Sequence, residues 1–560
     1  MATIKNIIDN IQKNNFDKAL NLCDLIENET NKHIISNIRG FTYFKMGKLD
    51  LAEKNFLISS DYNKKYIEPV KNIYSLYIQR KKFKLALEEA KKLVALDKNN
   101  LIFIAQLGYA YEVNFEFNNA ISQYEKVLFL NNKDKKIYNQ LGYLYQIKKQ
   151  SKKALEYFLQ GYKLDNKDKL ITNNILMSYI KLADVKNSEI FLEKACLLDD
   201  KYSDYIFNKA EYLILKGHMD EAVELLDENK DNIKFLIRLI RLYFYLGKKN
   251  EGYDLLNKNI DKINKNPENY NLIALRYLQK GNFNEGWKYY TLKNPYNEDF
   301  FTNIKEWNGE KLEGRTIVVY NEQGLGDSIQ FSKYILPLVK VSKKVSFAVQ
   351  ENIKNLFKQD IEGLEVIKRV TVSNHNYDFK ISLGSLLKFY YNHKFSSNKH
   401  LININDKKIL KLENKSYNLK PNIGLVWSGT SRDRSVPLNR FENILNLNAN
   451  FYCLQNKIED SDQNYFKSKN IYNLGKYKLD DISSIVNELD LVITIDTSIL
   501  HISCAIGKET WGLFSVDPDW RWGEFDKINP YKTLIKFNQK NYNDWEYVLE
   551  NVFNELKKRL

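Results

Sequence analysis

Two short stretches of this chain combine residue types that bind anions and move protons. In the first, an apolar run from Leu491 to Ile495 ends in Asp496-Thr497-Ser498, with His501 three residues further on. Asp, Thr and Ser are helix N-cap types, so the pattern predicts a buried strand, a tight turn and a short helix that carries His501 and stops at Gly507. A helix start offers unpaired N–H groups and a partial positive charge, the usual anion site at the carboxyl edge of a parallel sheet. The second stretch is Glu322-Gln323-Gly324-Leu325-Gly326-Asp327-Ser328, again after an apolar run. Gly324 and Gly326 permit close backbone approach to a ligand, and Asp327 is placed to accept a proton from an acceptor hydroxyl. An isolated turn of this kind also serves simply to cap a helix. Two phosphate-competent turns about 170 residues apart predict two facing nucleotide-fold halves and a nucleotide-sugar ligand.

Three further groups bear on that ligand. Asn422 to Trp427 reads as a strand leading into Ser428-Gly429-Thr430-Ser431-Arg432-Asp433-Arg434, a hydroxyl-rich loop whose guanidinium forks suit a diphosphate; a solvated loop with an Arg–Asp pair is the plainer alternative. Four of the 12 arginines, Arg432, Arg434, Arg440 and Arg521, fall near these loops. Asp517-Pro518-Asp519 has a metal-binding spacing but no His partner, and reads better as a rigid turn whose Trp520 and Trp522 wall the cleft. No metal site is expected. A dinucleotide fingerprint is excluded because Ile329 stands where the third glycine would fall, which disfavours a nicotinamide enzyme.

These turns need sheets to carry them. Short apolar runs at 316–320, 345–349, 364–367 and 379–382 form one set of candidate strands, with helical patterns between the first three. Runs at 422–427, 451–455, 491–495, 510–514 and 534–537 form a second set, after a polar interruption around 403–420. Strands alternating with helices predict two parallel α/β lobes, at 299–412 and 413–560. Upstream, a shift of 34 residues brings Leu107-Gly108, Tyr111, Ala120 and Tyr124 onto Leu141-Gly142, Tyr145, Ala154 and Phe158. The same phase holds at Gly40, Tyr43, Ala52 and Phe56, and again at Ala210, Ala222 and Leu226. That period resembles the tetratricopeptide helix–turn–helix and predicts an α-superhelix over 1–298. Its aromatics are core, and its concave face suits a peptide or protein.

Composition bounds the rest. Charged residues make up 28% and apolar ones 44%, as in a globular protein. The net charge of +15 comes from lysines spread along the chain, with no basic block or zinc-finger pattern, so nucleic-acid binding is not expected. Four separated cysteines, no apolar leader and no membrane-length run predict a cytoplasmic protein without a transmembrane segment.

Taken in order, Glu322–Asp327, Gly424-Leu425-Val426-Trp427-Ser428-Gly429, Arg434-Ser435-Val436-Pro437-Leu438, Asp496-Thr497 with His501, and Pro518-Asp519-Trp520-Arg521-Trp522 resemble bacterial tetratricopeptide proteins. The C-terminal domain of those proteins is similar to ADP-heptose:lipopolysaccharide heptosyltransferases. The resemblance implies a GT-B pair of lobes, an acceptor-side first and a donor-side second. It implies Asp327 as catalytic base and Arg434, Asp496, Thr497, Ser498 and His501 as the diphosphate site, which the turn at Gly324 and Gly326 and the loop at Ser428 and Gly429 are expected to complete. It also implies an inverting, metal-independent glycosyltransferase with no resident cofactor. The nucleotide-diphosphate sugar is then the co-substrate, and a glycan or protein held by the repeat groove is the acceptor. Two positions depart from the family: Ser498 stands where heptosyltransferases have Gly, and Arg434 where they have Lys. The domain order also resembles protein O-GlcNAc transferases, without their donor-site motif. The alternative is a non-catalytic repeat scaffold with a degenerate transferase-like domain.

Overall fold

The computed structural model describes residues 3–292, 301, 303–322, 324–392, 401–403, 420–429, 434–528 and 531–560. It divides into two compact units, Met1–Glu228 and Asn229–Leu560. Among the described residues no helix is long and apolar enough to cross a membrane.

The first unit is built of helical hairpins, such as Leu101–Val113 with Phe117–Leu130 and Lys135–Ile147 with Ser151–Leu164. The recurring glycine and aromatic residue have one steric cause. A Cβ on Gly108 would lie 2.8 Å from a Tyr124 ring carbon, and one on Gly142 would lie 2.4 Å from the Phe158 ring. Hydrogen in its place lets each ring pack against the paired helix. Ala120 and Ala154 are fully buried in the same hairpins, as is Ala86 in the hairpin before them. The turn between the two helices also repeats: residues 47, 81, 115, 149, 183 and 217 all have φ between 54° and 85°, each 34 residues after the last. At each turn the next N–H reaches back five residues to the preceding helix, as in Lys82 to Tyr77 (2.8 Å) and Gln150 to Tyr145 (2.9 Å), which satisfies an orphan carbonyl. Adjacent repeats are tied by asparagines: Asn72 donates to Asn37 at 2.9 Å and Asn174 to Asn139 at 2.7 Å.

In the second unit, helices Tyr270–Gln279 and Phe283–Leu292 precede a four-stranded parallel sheet of β1 (Thr316–Tyr320), β2 (Lys344–Val349), β3 (Leu364–Lys368) and β4 (Phe379–Ser382). Its order is β3-β2-β1-β4. A second parallel sheet holds β5 (Asn422–Val426), β6 (Asn450–Cys453), β7 (Ile471–Asn473), β8 (Leu491–Ile495), β9 (Thr510–Phe514) and β10 (Leu534–Asn538), in the order β10-β9-β8-β5-β6-β7. Every expected strand is present within a residue or two, and β7 is added. Between β2 and β3 the expected helix is a 3-10 segment, Glu351–Leu356, enough to bury Ile353 and Leu356.

In both sheets the chain reverses direction at a strand that carries a candidate turn. From β1 it runs outward through β2 and β3, then returns to the other side of β1 as β4. From β5 it runs through β6 and β7, then returns beside β5 as β8. The turns after β1, β5 and β8 therefore open at the carboxyl ends where such folds bind ligands. One apolar core joins the lobes to the preceding helices: Phe244, Leu278 and Trp287 belong to the same cluster as Phe331, Trp520 and Phe525. The expected domain limits at 298 and 412 fall within 293–300 and 404–419, outside the described residues.

Lysine, phenylalanine and alanine occupy four of the repeat turns, where an L-residue is strained by about 1–2 kcal/mol. Lys149→Gly, at φ 58°, removes that strain against the larger unfolded-state entropy of glycine. It should raise stability by about 0.5–1 kcal/mol, read from the urea midpoint.

Candidate functional site

The turn after β1 places Gly324 as N-cap of a helix, Leu325–Phe331, with Asp327 in its first turn. The turn after β8 places Thr497 as N-cap of the helix Ser498–Ala505. Gly324 has no side chain to cap its helix, and Thr497 makes no capping bond with its own. These two helix starts meet. A Cβ on Gly326 would lie 2.6 Å from His501 Cδ2, so Gly326 is required by the helix–helix approach.

Between the lobes is a cavity of about 590 Å³. Gly324, Gly326 and Asp327 line it from the first lobe, and Ser428, Gly429, Arg434, Asp496, Thr497, Ser498 and His501 line it from the second. The size suits a small-molecule ligand. Arg432 and the neighbouring loop residues 430–433, with Gln323, lie outside the described residues.

The charged groups are already paired. Arg434 donates to Asp496 Oδ2 at 3.0 Å while remaining about one-third exposed. Asp496 Oδ1 is 3.8 Å from His501 Nε2, beyond a hydrogen bond. The buried His501 ring stacks on Trp522 with centroids 5.4 Å apart, and its Nδ1 lies 3.2 Å from the Tyr531 hydroxyl. Burial, with the nearby Cys504, pushes the Tyr531 phenol well above its ordinary range. Asp327 accepts a 2.6 Å bond from Arg521, whose Nε lies 2.9 Å from Asp519. Burial opposes the Arg521 charge, but Asp327, Asp519 and Asp496 outweigh it and hold the proton more firmly than in a free arginine.

One expectation needs correcting. Trp520 and Trp522 do not wall the cavity. Both are buried behind it, Trp522 against His501 and Phe514, Trp520 against Phe331 and Trp287. Large rings beside a charged site bury more area as its backing than as its rim. The carboxylates of the Asp-x-Asp turn are engaged by arginines, Asp517 by Arg276 and Asp519 by Arg521. Among the described residues no group of three or more His, Cys, Asp or Glu is placed to hold a metal ion.

Two contributors lay outside the expected site. Arg521 lines the cavity beside Asp327, and its sign was its rarity in a lysine-rich chain. Gln455 follows β6 at the same sheet edge. Its Oε1 accepts from Trp427 N (3.1 Å) and Ser428 N (3.2 Å), and its amide donates to the Ser428 hydroxyl at 2.8 Å, which fixes the loop after β5.

Residues 453–551 match glycosyltransferase family 9 (heptosyltransferase). The family 9 match takes in the Asp496–His501 turn and the Trp520–Trp522 segment, and leaves Asp327 and Arg434 outside it. It supports glycosyltransferase activity in general. Residues 135–168 match the tetratricopeptide repeat, spanning one helical hairpin of the first unit. Solved structures similar to part of the chain include MamA, at 20% identity over 30% of this chain and 97% of that one, with TM-score 0.28. YrrB, a tetratricopeptide protein with an unusual peptide-binding site, is 21% identical over 31% and 91%, with TM-score 0.27. The C-terminal part of a repeat-containing protein from Cytophaga hutchinsonii is 20% identical over 45% and 99%, with TM-score 0.34. No curated protein matches the chain.

Gly326→Ala places a methyl against a histidine held by its neighbours, so it should cost about 1–3 kcal/mol. Gly429→Ala meets Thr497 Cγ2 at 3.5 Å, an ordinary contact, and should stay within about 0.5 kcal/mol of wild type. Thermal unfolding of the two variants reads the difference.

Proposed function

We propose that the chain is an inverting, metal-independent glycosyltransferase that uses a nucleotide-diphosphate sugar. The observation that carries this reading is the single cavity in which a carboxylate, Asp327, faces a helix start and a guanidinium from the other lobe. In the proposed reaction Asp327 takes the acceptor hydroxyl proton as that oxygen bonds to the anomeric carbon. The bond from that carbon to the diphosphate breaks, and its electron pair leaves on the phosphate oxygen. Arg434 and the free N–H groups of the Ser498 helix start stabilise the departing charge. With the base and the leaving group on opposite lobes, displacement in line inverts the anomeric centre. These groups supply the positive charge that a metal gives in other transferases, so the reading requires neither metal nor resident cofactor. The acceptor is a glycan or a protein, for which the repeat array is the proposed docking element. The cytoplasm, where nucleotide sugars are made, is the proposed compartment.

Thermal shift with UDP, ADP and GDP tests donor binding, because a ligand selective for the native state raises the melting temperature. Release of nucleoside diphosphate from the matching sugar tests turnover. Arg434→Ala should weaken diphosphate binding by about 1.5–3 kcal/mol, the range of a charge-assisted bond. Unchanged affinity in a folded variant removes the diphosphate assignment.

Asp327→Asn keeps the shape and removes the basicity. Turnover should fall roughly 10²–10⁴-fold with donor affinity near wild type. Transfer at the normal rate would leave Asp327 as a structural partner of Arg521 alone.

A further inference from the structure

The segment 517–523 is gripped from two directions. From one side, Arg276 in the Tyr270–Gln279 helix holds both carboxylate oxygens of Asp517, at 2.7 and 2.8 Å. Gln279 of the same helix donates to Asp517 Oδ1 at 3.0 Å and to the Pro518 carbonyl at 2.9 Å. Gly523 approaches Gln279 so closely that a Cβ would lie 2.6 Å from its carbonyl oxygen. From the other side, the segment extends Arg521 to Asp327 at 2.6 Å. Between the two grips, Asp519 braces the turn by accepting from the Arg521 backbone N–H at 3.1 Å.

We infer that Arg521 is a positioning residue for the Asp327 carboxylate, and that the last repeat, through Arg276 and Gln279, fixes where Arg521 stands. The inference rests on the proposed reaction for its catalytic meaning but on the contacts alone for its physical content. Bidentate pairing of two side chains that are each about 15% exposed sets orientation as well as distance. Only three residues, one of them Pro518, separate Asp517 from Arg521, so a displaced Asp517 cannot be absorbed by slack chain. A repeat helix thereby belongs to the machinery that aims the base, rather than being only a carrier for it.

A double-mutant cycle on the full-length chain decides the point without substrate. Arg276→Gln and Asp327→Asn alter opposite ends of the segment, so independent effects would add. The expected result is non-additivity: Asp327→Asn lowers the melting temperature less in the Arg276→Gln background, because the Arg521 pair is already loosened there. Additive shifts overturn the inference.

The second readout is release of nucleoside diphosphate from UDP-glucose, ADP-glucose or GDP-mannose. Arg276→Gln should lower kcat, by up to about 10²-fold as for a misplaced catalytic group, with KM unchanged. Arg521→Lys should retain more activity than Arg521→Gln. An unchanged kcat, or equal losses for Lys and Gln, overturns the inference. If wild type binds and turns over none of the three, the transferase reading fails, and the cycle alone supports or overturns the positional claim.

Discussion

A buried guanidinium is the constraint on which the second unit turns. Taking a charge out of water costs several kcal/mol unless partners surround it. Arg521 is 6% exposed and finds its compensation on separate elements: Asp327 on the helix after β1, Asp519 in its own turn, and Asp496 after β8. None of these can move away without leaving charge uncompensated in a dry setting. The relative placement of the two helix starts, the direction of Asp327 and the burial of Trp520 and Trp522 all follow from satisfying that one side chain. Gly326 completes the arrangement, since only hydrogen fits where His501 closes against it.

Much of this was legible locally. Strand, cap and turn chemistry lie within a few consecutive residues, and all ten residues expected to form the catalytic and diphosphate site line the cavity between the lobes. What the sequence could not show was direction. Trp520 and Trp522 flank Arg521, and residue type alone does not say that the arginine points to Asp327 while the rings turn inward. Pairing across 194 positions is equally silent, because nothing near Asp327 marks a partner so far along the chain. β7 escaped because three residues, Ile471–Asn473, with one well-buried side chain make no period.

The repeats show a different kind of legibility. Their period was readable because several hairpins solve the same steric problem with the same residues, a glycine under a ring at Gly40 and Phe56, Gly108 and Tyr124, and Gly142 and Phe158. The left-handed turn residue keeps that count more faithfully than side chains do: it recurs every 34 residues from Gly47 to Gly217, then after 30 at Gly247, and after 34 again at Gly281. The shortened interval contains the division between the compact units at Glu228. Change of packing and change of fold class therefore fall at different places. The helices after that interval keep the repeat pattern, while Phe244, Leu278 and Trp287 are buried in the core of the α/β lobes.

The cavity also explains why its charged groups are paired with one another. Asp496 and Asp327 would repel each other and resist burial if left alone, and Arg434 and Arg521 divide them between two ion pairs. The two pairs differ in what they permit. Arg521 is enclosed and braced by Asp519, so its bond to Asp327 is a fixed part of the structure. Arg434 is one-third exposed and rests on Asp496 by one nitrogen, so this pair stays open toward the cavity, where the proposed diphosphate would meet it. An enclosed pair that sets geometry beside an open pair that retains binding capacity is what a site needs if it must aim a base on one lobe and receive negative charge on the other.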